Sequence, residues 1–415
     1  MKKMGQTMIQ SSSRAKGWQT RSANQPKLPS TATPERILVA MSGGVDSSVA
    51  AALLHQSGHQ VVGVTMKTFC YDESAGPSRT CCGLDGILDA KQVADRLGIP
   101  HYVFDVEEEF TRDVIDDFVG EYARGRTPNP CVRCNSNTKF RDLLQRGRAL
   151  GCDGIATGHY VRIEHPSSGE PRLLRGADRD KDQAYFLWGL PREMLPLLRF
   201  PLGDLTKAEV RELARELGLV TAEKPESQEI CFVPSGDYRE FLSQRLRPRH
   251  PALEPGPIVS LEGEVLGEHQ GFASFTVGQR RGLGGGFPEP FFVLEIRPET
   301  REVVVGPREA LTSEEMTVEG IHWLTGDPPE MGSTVQVQIR HRAPAVPAQL
   351  APEDASELAP EDASQIRVRF QEPQRAVTPG QSAVIFQGNR MLGGGRIGAA
   401  VRLARAEPLG PSLDP

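Results

Sequence analysis

Arg36-Ile37-Leu38-Val39-Ala40-Met41-Ser42-Gly43-Gly44-Val45-Asp46-Ser47 is the stretch on which the reading of the fold turns. Ile37 to Ala40 is a continuous apolar run, as in a parallel strand buried on both faces. It breaks on Ser42-Gly43-Gly44, and Ser47 to Leu54 follows with helical composition. A strand, a tight glycine turn and a helix together aim backbone N–H groups at a polyphosphate. The glycines let the backbone approach the anion, and the helix N-terminus adds partial positive charge. The plain alternative is an ordinary strand–helix turn with serine as N-cap.

The glycine spacing separates the phosphate binders. A P-loop needs Gly-x-x-x-x-Gly-Lys-Ser/Thr, and this turn has no lysine; a dinucleotide fingerprint needs Gly-x-Gly-x-x-Gly, also absent. Ser-Gly-Gly-x-Asp-Ser resembles the pyrophosphatase loop of enzymes that cleave ATP to AMP and pyrophosphate. That resemblance implies that the loop holds the pyrophosphate portion of ATP and that Asp46 helps hold Mg2+.

Working outward, strands and helices alternate. Val61 to Met66 and His101 to Val106 read as strands, Gly154 to Gly158 as a strand end, and Leu84 to Leu97 and Phe110 to Arg124 as helices. Alternation of this kind predicts an α/β fold with a doubly wound parallel sheet over 35–230. Ligands on such sheets lie at the carboxyl ends of the strands, where Met66, Gly158 and the first loop fall. A small, mostly-β central domain is expected over 231–308. A C-terminal β-barrel is expected over 309–405, from short runs such as Thr334 to Ile339, Gln365 to Phe370 and Ser382 to Phe386. A tandem Leu-Ala-Pro-Glu-Asp-Ala-Ser at 350–356 and 358–364 reads as part of an acidic loop insertion, 345–365. Residues 1–34 read as a disordered basic extension, with a transit peptide as the alternative, and 406–415 as a tail.

Composition bounds the rest. In 415 residues, 38% hydrophobic and 25% charged content belongs to a globular chain of two or three domains, and no apolar run approaches bilayer length. The absence of an apolar leader and an odd count of seven cysteines point to reduced thiols in a cytoplasm. A formal charge of −6 weighs weakly against a nucleic-acid partner, which local patches such as Arg280-Arg281-Gly282 and Arg340-His341-Arg342 offset.

The cysteines divide into two groups. Cys70, Cys81, Cys82 and Cys152 read as incidental or buried thiols. Cys131 and Cys134 lie in Thr127-Pro128-Asn129-Pro130-Cys131-Val132-Arg133-Cys134-Asn135, where two prolines predict a stiff, non-helical loop. Cys231 lies in Glu229-Ile230-Cys231-Phe232. Three readings stand for Cys131, Cys134 and Cys231. One is sulfur chemistry, with thiolates favoured by Arg133 and Lys139. Another is a metal or iron–sulfur site, a [4Fe-4S] cluster with one open iron. The last is incidental thiols.

Taken in order, several segments give a joint signal. They are the pyrophosphatase loop, Thr-Pro-Asn-Pro-x-x-x-Cys-Asn, Ala156-Thr157-Gly158-His159-Tyr160, Lys181-Asp182-Gln183-Ala184-Tyr185-Phe186-Leu187 and Glu229-Ile230-Cys231-Phe232. They continue through Gly267 to Gly271, Thr276 to Gly284 and Thr378 to Ala383. Over roughly residues 35 to 402 the chain resembles the tRNA-specific 2-thiouridylases. The resemblance implies three domains, the first adenine nucleotide alpha hydrolase-like, and ATP with Mg2+ as cofactors. Ala40, Met41, Ser42, Gly43, Gly44, Val45, Asp46, Ser47, Met66 and Gly158 match nucleotide-binding positions. Cys134 matches the nucleophile and Cys231 the persulfide carrier. Asn129, Pro130 and Cys131 match the segment touching the target base. Lys181, Asp182, Gln183, Arg340 and His341 match tRNA contacts, and His159 and Gln381 match positions tied to activity. Well-known members carry Asp where this chain has Cys131, so the acid/base group at that place is open.

The family chemistry implies adenylation of the C2 oxygen of the wobble uridine, in tRNAs for Lys, Glu and Gln, and replacement of that oxygen by sulfur. A cysteine desulfurase or sulfur relay protein is the implied donor, and a monomer is expected. Thiols 97 positions apart require a loop to carry Cys231 inward, and the glycine and proline content near Pro225 and Gly236 permits such a hinge. The competing readings are another ATP pyrophosphatase that forms amides, and a non-catalytic RNA- or iron–sulfur-binding module.

Overall fold

The computed structural model describes residues 34–68, 84–167, 169–226, 230–233, 236–284, 289–351 and 365–402. The expected basic extension, the tail 406–415, Cys70, Cys81, Cys82, Glu229 and most of the tandem repeat lie outside them.

The first domain is a five-stranded parallel sheet. Strands β1 (Arg36–Ala40), β2 (Gln60–Lys67), β3 (His101–Asp105) and β4 (Gly154–Ala156) are joined later by β7 (Leu198–Arg199). The order is β3-β2-β1-β4-β7, every pair parallel. Ile37, Leu38 and Val39 are fully buried because helices cover both faces of the sheet. One layer is α1 (Val45–Gln56), α2 (Leu84–Leu97) and α7 (Lys207–Glu216). Alanine at 50, 51 and 52 lets α1 sit tightly within that layer, every one of them fully buried. The order in which strands are added reverses between β1 and β4, which opens a crevice at their carboxyl ends.

After β3 the chain runs through α3 (Glu107–Phe110), a π-helical turn (Thr111–Ile115) and α4 (Asp116–Ala123). The segment expected to be a stiff loop is helical instead. Asn129 caps α5 (Pro130–Arg133), its Oδ1 accepting the Cys131 N–H at 3.2 Å. Helix continues as a wide π segment, Cys134–Asp142, into α6 (Leu143–Ala149). The second proline is tolerated because it occupies the first helical position, where no N–H partner is needed.

Hairpin β5 (Val161–Glu164) and β6 (Arg172–Arg175), unforeseen in the sequence, leaves the first domain to pair with the last. Next comes α8 (Tyr238–Arg245), followed by a four-stranded sheet of β8 (Gly256–Val259), β9 (Val265–His269), β10 (Phe292–Arg297) and β11 (Glu302–Gly306), in the order β10-β11-β8-β9. The last domain holds β12 (Thr312–Trp323), β13 (Thr334–Gln338), β14 (Val346–Ala351), β15 (Ile366–Arg375), β16 (Ser382–Gln387) and β17 (Arg390–Arg402). These six close into an antiparallel barrel through the β12–β17 pairing. The insertion is therefore shorter than expected, since residues 346–351 form a barrel strand paired on both sides. Tyr185 is buried between barrel and first domain and donates its hydroxyl to the Ser382 carbonyl at 3.0 Å.

Candidate active site

The loop after β1 lies in the crevice. Gly43 has φ +70° and backs onto Gly86, whose backbone a Cβ at 43 would strike. Gly158, just beyond β4, faces the loop so closely that a Cβ there would lie 2.7 Å from the Asp46 carbonyl carbon and the Ser47 nitrogen. Ser47 Oγ accepts the Ser42 N–H at 3.1 Å and is 3.2 Å from the Gly44 carbonyl, closing the turn on itself. Met41 and Met66, at the ends of β1 and β2, are buried. Every nucleotide-binding position named from the sequence thus falls on one edge.

Four residues that the sequence did not single out complete this edge. Lys224 Nζ lies 2.9 Å from the Gly43 carbonyl and 2.5 Å from Asp89. Tyr160 donates its hydroxyl to Asp46 Oδ1 at 2.8 Å. Burial, with the Asp46 charge beside it, pushes the Tyr160 phenol up, so it stays a donor. Lys207 Nζ sits 2.7 and 2.8 Å from the two Asp46 oxygens and 3.0 Å from Glu226. Glu226 in turn meets Lys181 at 2.8 Å. Asp46 was expected to hold Mg2+. In this structure both its oxygens face the Lys207 ammonium. Only the tertiary fold gathers these residues; of the four, Tyr160 alone lies in a segment quoted for the family resemblance.

The two principal thiols enter one aromatic cluster. Cys134 is buried there with Phe110, Val114, Phe118, Tyr122, Phe232 and Val233, and half-buried Cys231 packs against the same cluster. Phe232 anchors the second thiol's segment edge-on to Phe110 and Phe118, with ring centroids 5.8 and 5.1 Å apart. Cys131 is exposed on α5. Among the described residues no three His, Cys, Asp or Glu side chains gather to hold a metal ion, so the thiols do not fit a [4Fe-4S] cluster as placed.

The Thr127–Asn129 turn that starts α5 is clamped by the other domains. Gln381 donates Nε2 to the Thr127 carbonyl at 2.8 Å, and the Thr127 N–H reaches the Pro379 carbonyl at 2.9 Å. Thr127 also bonds Thr276 of the central domain at 3.1 Å. Beneath it, buried Glu121 pairs with Arg124, Arg126 and Arg396 at 2.8, 2.8 and 3.1 Å. Asp117 joins Arg396 to Arg133.

The expected RNA contacts separate. Asp182 is buried against Arg175 at 2.8 Å, and Gln183 accepts the Tyr160 N–H at 2.9 Å, so both side chains serve the interior. His341 packs on Phe186, ring centroids 4.4 Å apart, whereas Arg340 is exposed. His159 packs beside Phe140 and Phe200 and is 2.7 Å from Thr157 Oγ1. Burial, helped by Lys139, lowers its pKa to about 3, so at neutral pH it is an uncharged hydrogen-bonding group.

A parallel nucleotide-type sheet carrying this loop, followed by a small β domain and a closed barrel, defines an ATP-pyrophosphatase-like architecture with two appended β modules. Three family models match in succession: "tRNA methyl transferase HUP domain" over 35–235, "tRNA methyl transferase PRC-barrel domain" over 239–307 and "Aminomethyltransferase beta-barrel domain" over 313–397. The tRNA-specific 2-thiouridylase MnmA of Geobacter metallireducens is 49% identical over 373 residues, covering 88% of this chain and 98% of that one. The enzyme of the same name from Carboxydothermus hydrogenoformans is 48% identical over 370 residues, covering 88% and 97%. The chain belongs to the tRNA-specific 2-thiouridylase family. A solved 4-thiouridine synthetase–RNA complex with bound ATP aligns with TM-score 0.31 and 18% identity over 53% of this chain and 52% of that one, a likeness too slight to carry an argument. No helix among the described residues is long and apolar enough to cross a membrane.

Proposed function

We propose that the protein is an ATP-dependent tRNA-uridine 2-sulfurtransferase acting on the wobble uridine of tRNAs for Lys, Glu and Gln, as a monomer in the cytoplasm. The observation that carries this reading is the convergence of Cys134 and Cys231, 97 positions apart, on one aromatic cluster beside the clamped turn of Asn129.

The uridine C2 oxygen is a poor leaving group. It attacks the α-phosphorus of ATP, supplied as its Mg2+ complex, and pyrophosphate departs into the loop's N–H groups. A cysteine desulfurase or sulfur relay protein loads Cys231 as a persulfide. The Cys134 thiolate attacks Cys231 Sγ, forming a disulfide and expelling hydrosulfide. Hydrosulfide adds to C2, AMP leaves with the oxygen, and loss of a proton gives the 2-thiouridine. An external thiol returns the two electrons that reopen the disulfide. Asn129, Pro130 and Cys131 face the extruded base, and Lys181 and Arg340 meet the RNA. His159, neutral and rigidly packed, orients rather than titrates.

The test uses unmodified tRNA, ATP and a persulfide-loading donor. Pyrophosphate release is expected to require tRNA and to survive in Cys134→Ala and Cys231→Ala, while 2-thiouridine formation, read by nucleoside mass spectrometry, falls at least ~100-fold in both. Excess inorganic sulfide is expected to restore part of the lost product. Wild-type levels of thiolation in either variant, or pyrophosphate release without RNA, would sink the assignment. An amide-forming pyrophosphatase would show the second outcome.

A further inference from the structure

The phosphate turn contains no lysine, yet Lys207 lies against it from another part of the chain. Its position is fixed. Thr206 and Glu209 form a reciprocal capping box at the start of α7, and the Lys207 N–H is held by Asp178 at 2.9 Å. The side chain is only 12% exposed, and its ammonium meets three carboxylate oxygens, two from Asp46 and one from Glu226. An ammonium has three donors. All three are therefore engaged, and an incoming phosphate oxygen must displace a carboxylate. Each carboxylate has a second partner to fall back on: Asp46 keeps the Tyr160 hydroxyl, and Glu226 keeps Lys181. Burial raises the Glu226 pKa, but Lys181 and Lys207 together hold it below the usual carboxylate range, so it competes as an anion at neutral pH.

We propose that Lys207 is the cation that contacts the β,γ-phosphates of ATP, and that Glu226 is a built-in competitor for it which ATP displaces and which regains the lysine as pyrophosphate leaves. The proposal rests on the reading of the loop as an ATP site. It assigns Lys207 the part of the lysine that a P-loop carries within its own turn, delivered here by the N-terminus of α7. Glu226 acts through Lys207 and is a positioning residue.

The test measures binding of α,β-methylene-ATP and of AMP to the full-length protein by calorimetry. Lys207→Met is expected to weaken the triphosphate analogue at least tenfold and leave AMP within twofold. Glu226→Gln is expected to tighten the analogue severalfold, again without effect on AMP, and to slow pyrophosphate release. Equal losses for AMP and the analogue in Lys207→Met, or unchanged analogue affinity in Glu226→Gln, would overturn the proposal; the second variant decides the matter if the first does not fold. A wild-type protein that binds neither nucleotide would instead defeat the ATP reading itself.

Discussion

Gly158 shows how one atom governs the nucleotide edge. It lies just beyond β4, and it faces the backbone of Asp46 and Ser47 with no room for a Cβ between. An added methyl would meet backbone, which cannot rotate away, at 2.7 Å. Gly158→Ala must push the phosphate loop outward or tilt β4. Since the loop's N–H groups act by position, ATP affinity is expected to drop about tenfold or more, a loss of about 1.4 kcal/mol. Overall stability should change much less, because the loop rim is not core. Calorimetric ATP titration beside a thermal melt checks both. Unchanged affinity would mean that the loop and β4 are not held together as described.

At the scale of elements, the start of α5 depends on the barrel as much as on its own sequence. Gly380, with φ +90°, presses on Thr127, where a Cβ would lie 2.7 Å from the Thr127 nitrogen, and Gln381 bonds the next carbonyl. These contacts fix where Asn129 caps the helix that carries both Cys131 and Cys134. Gln381→Ala is expected to lower the rate of thiolation about tenfold or more while ATP affinity stays within twofold, because the clamp and the loop lie on different elements. Single-turnover thiolation with saturating ATP measures it; a change in ATP affinity equal to the change in rate would contradict the separation. This segment also marks where sequence reading stops. Pro128 and Pro130 bar a helix interior, which reads as a loop, but the same residues suit a helix start, and only Asn129 acting as cap decides between them. The phosphate loop was legible because its strand, turn and helix are contiguous. Lys207, Lys224 and Glu226 were not, since α7 and the turn after it reach the loop only once the sheet is wound. Strand β7, two residues long, and hairpin β5–β6 lack a periodicity long enough to read.

The whole molecule carries a net charge of −6 and, on this reading, must hold a polyanion. The resolution is in where the charge lies. Helix α8 and the turn after it present Arg239, Arg245, Arg247 and Arg249 to solvent within eleven residues. The helix is moored to the rest by Phe241 and Leu242, which pack on the same aromatic cluster as Cys134 and Cys231. Arg249 has φ +62°, an uncommon backbone for a residue other than glycine. The tip Arg280-Arg281 is exposed as well, and buried Leu283 holds it. Phosphates bound by this patch would lie at a fixed offset from the cluster that holds the two thiols, so the orientation of the RNA would follow from its anchoring. Each phosphate contact releases counterions, and binding then falls with salt by about 0.7 to 0.9 log units per log unit for every contact. Arg247→Ala with Arg249→Ala removes two candidate contacts without touching the cluster. The slope of log affinity for tRNA against log salt is expected to fall by about 1.5, with ATP binding and thermal stability unchanged. Filter binding between low and moderate salt reads the slope directly. A double variant with lower affinity but the wild-type slope would place these arginines off the RNA path and return the search for the footprint to the barrel face around Arg340.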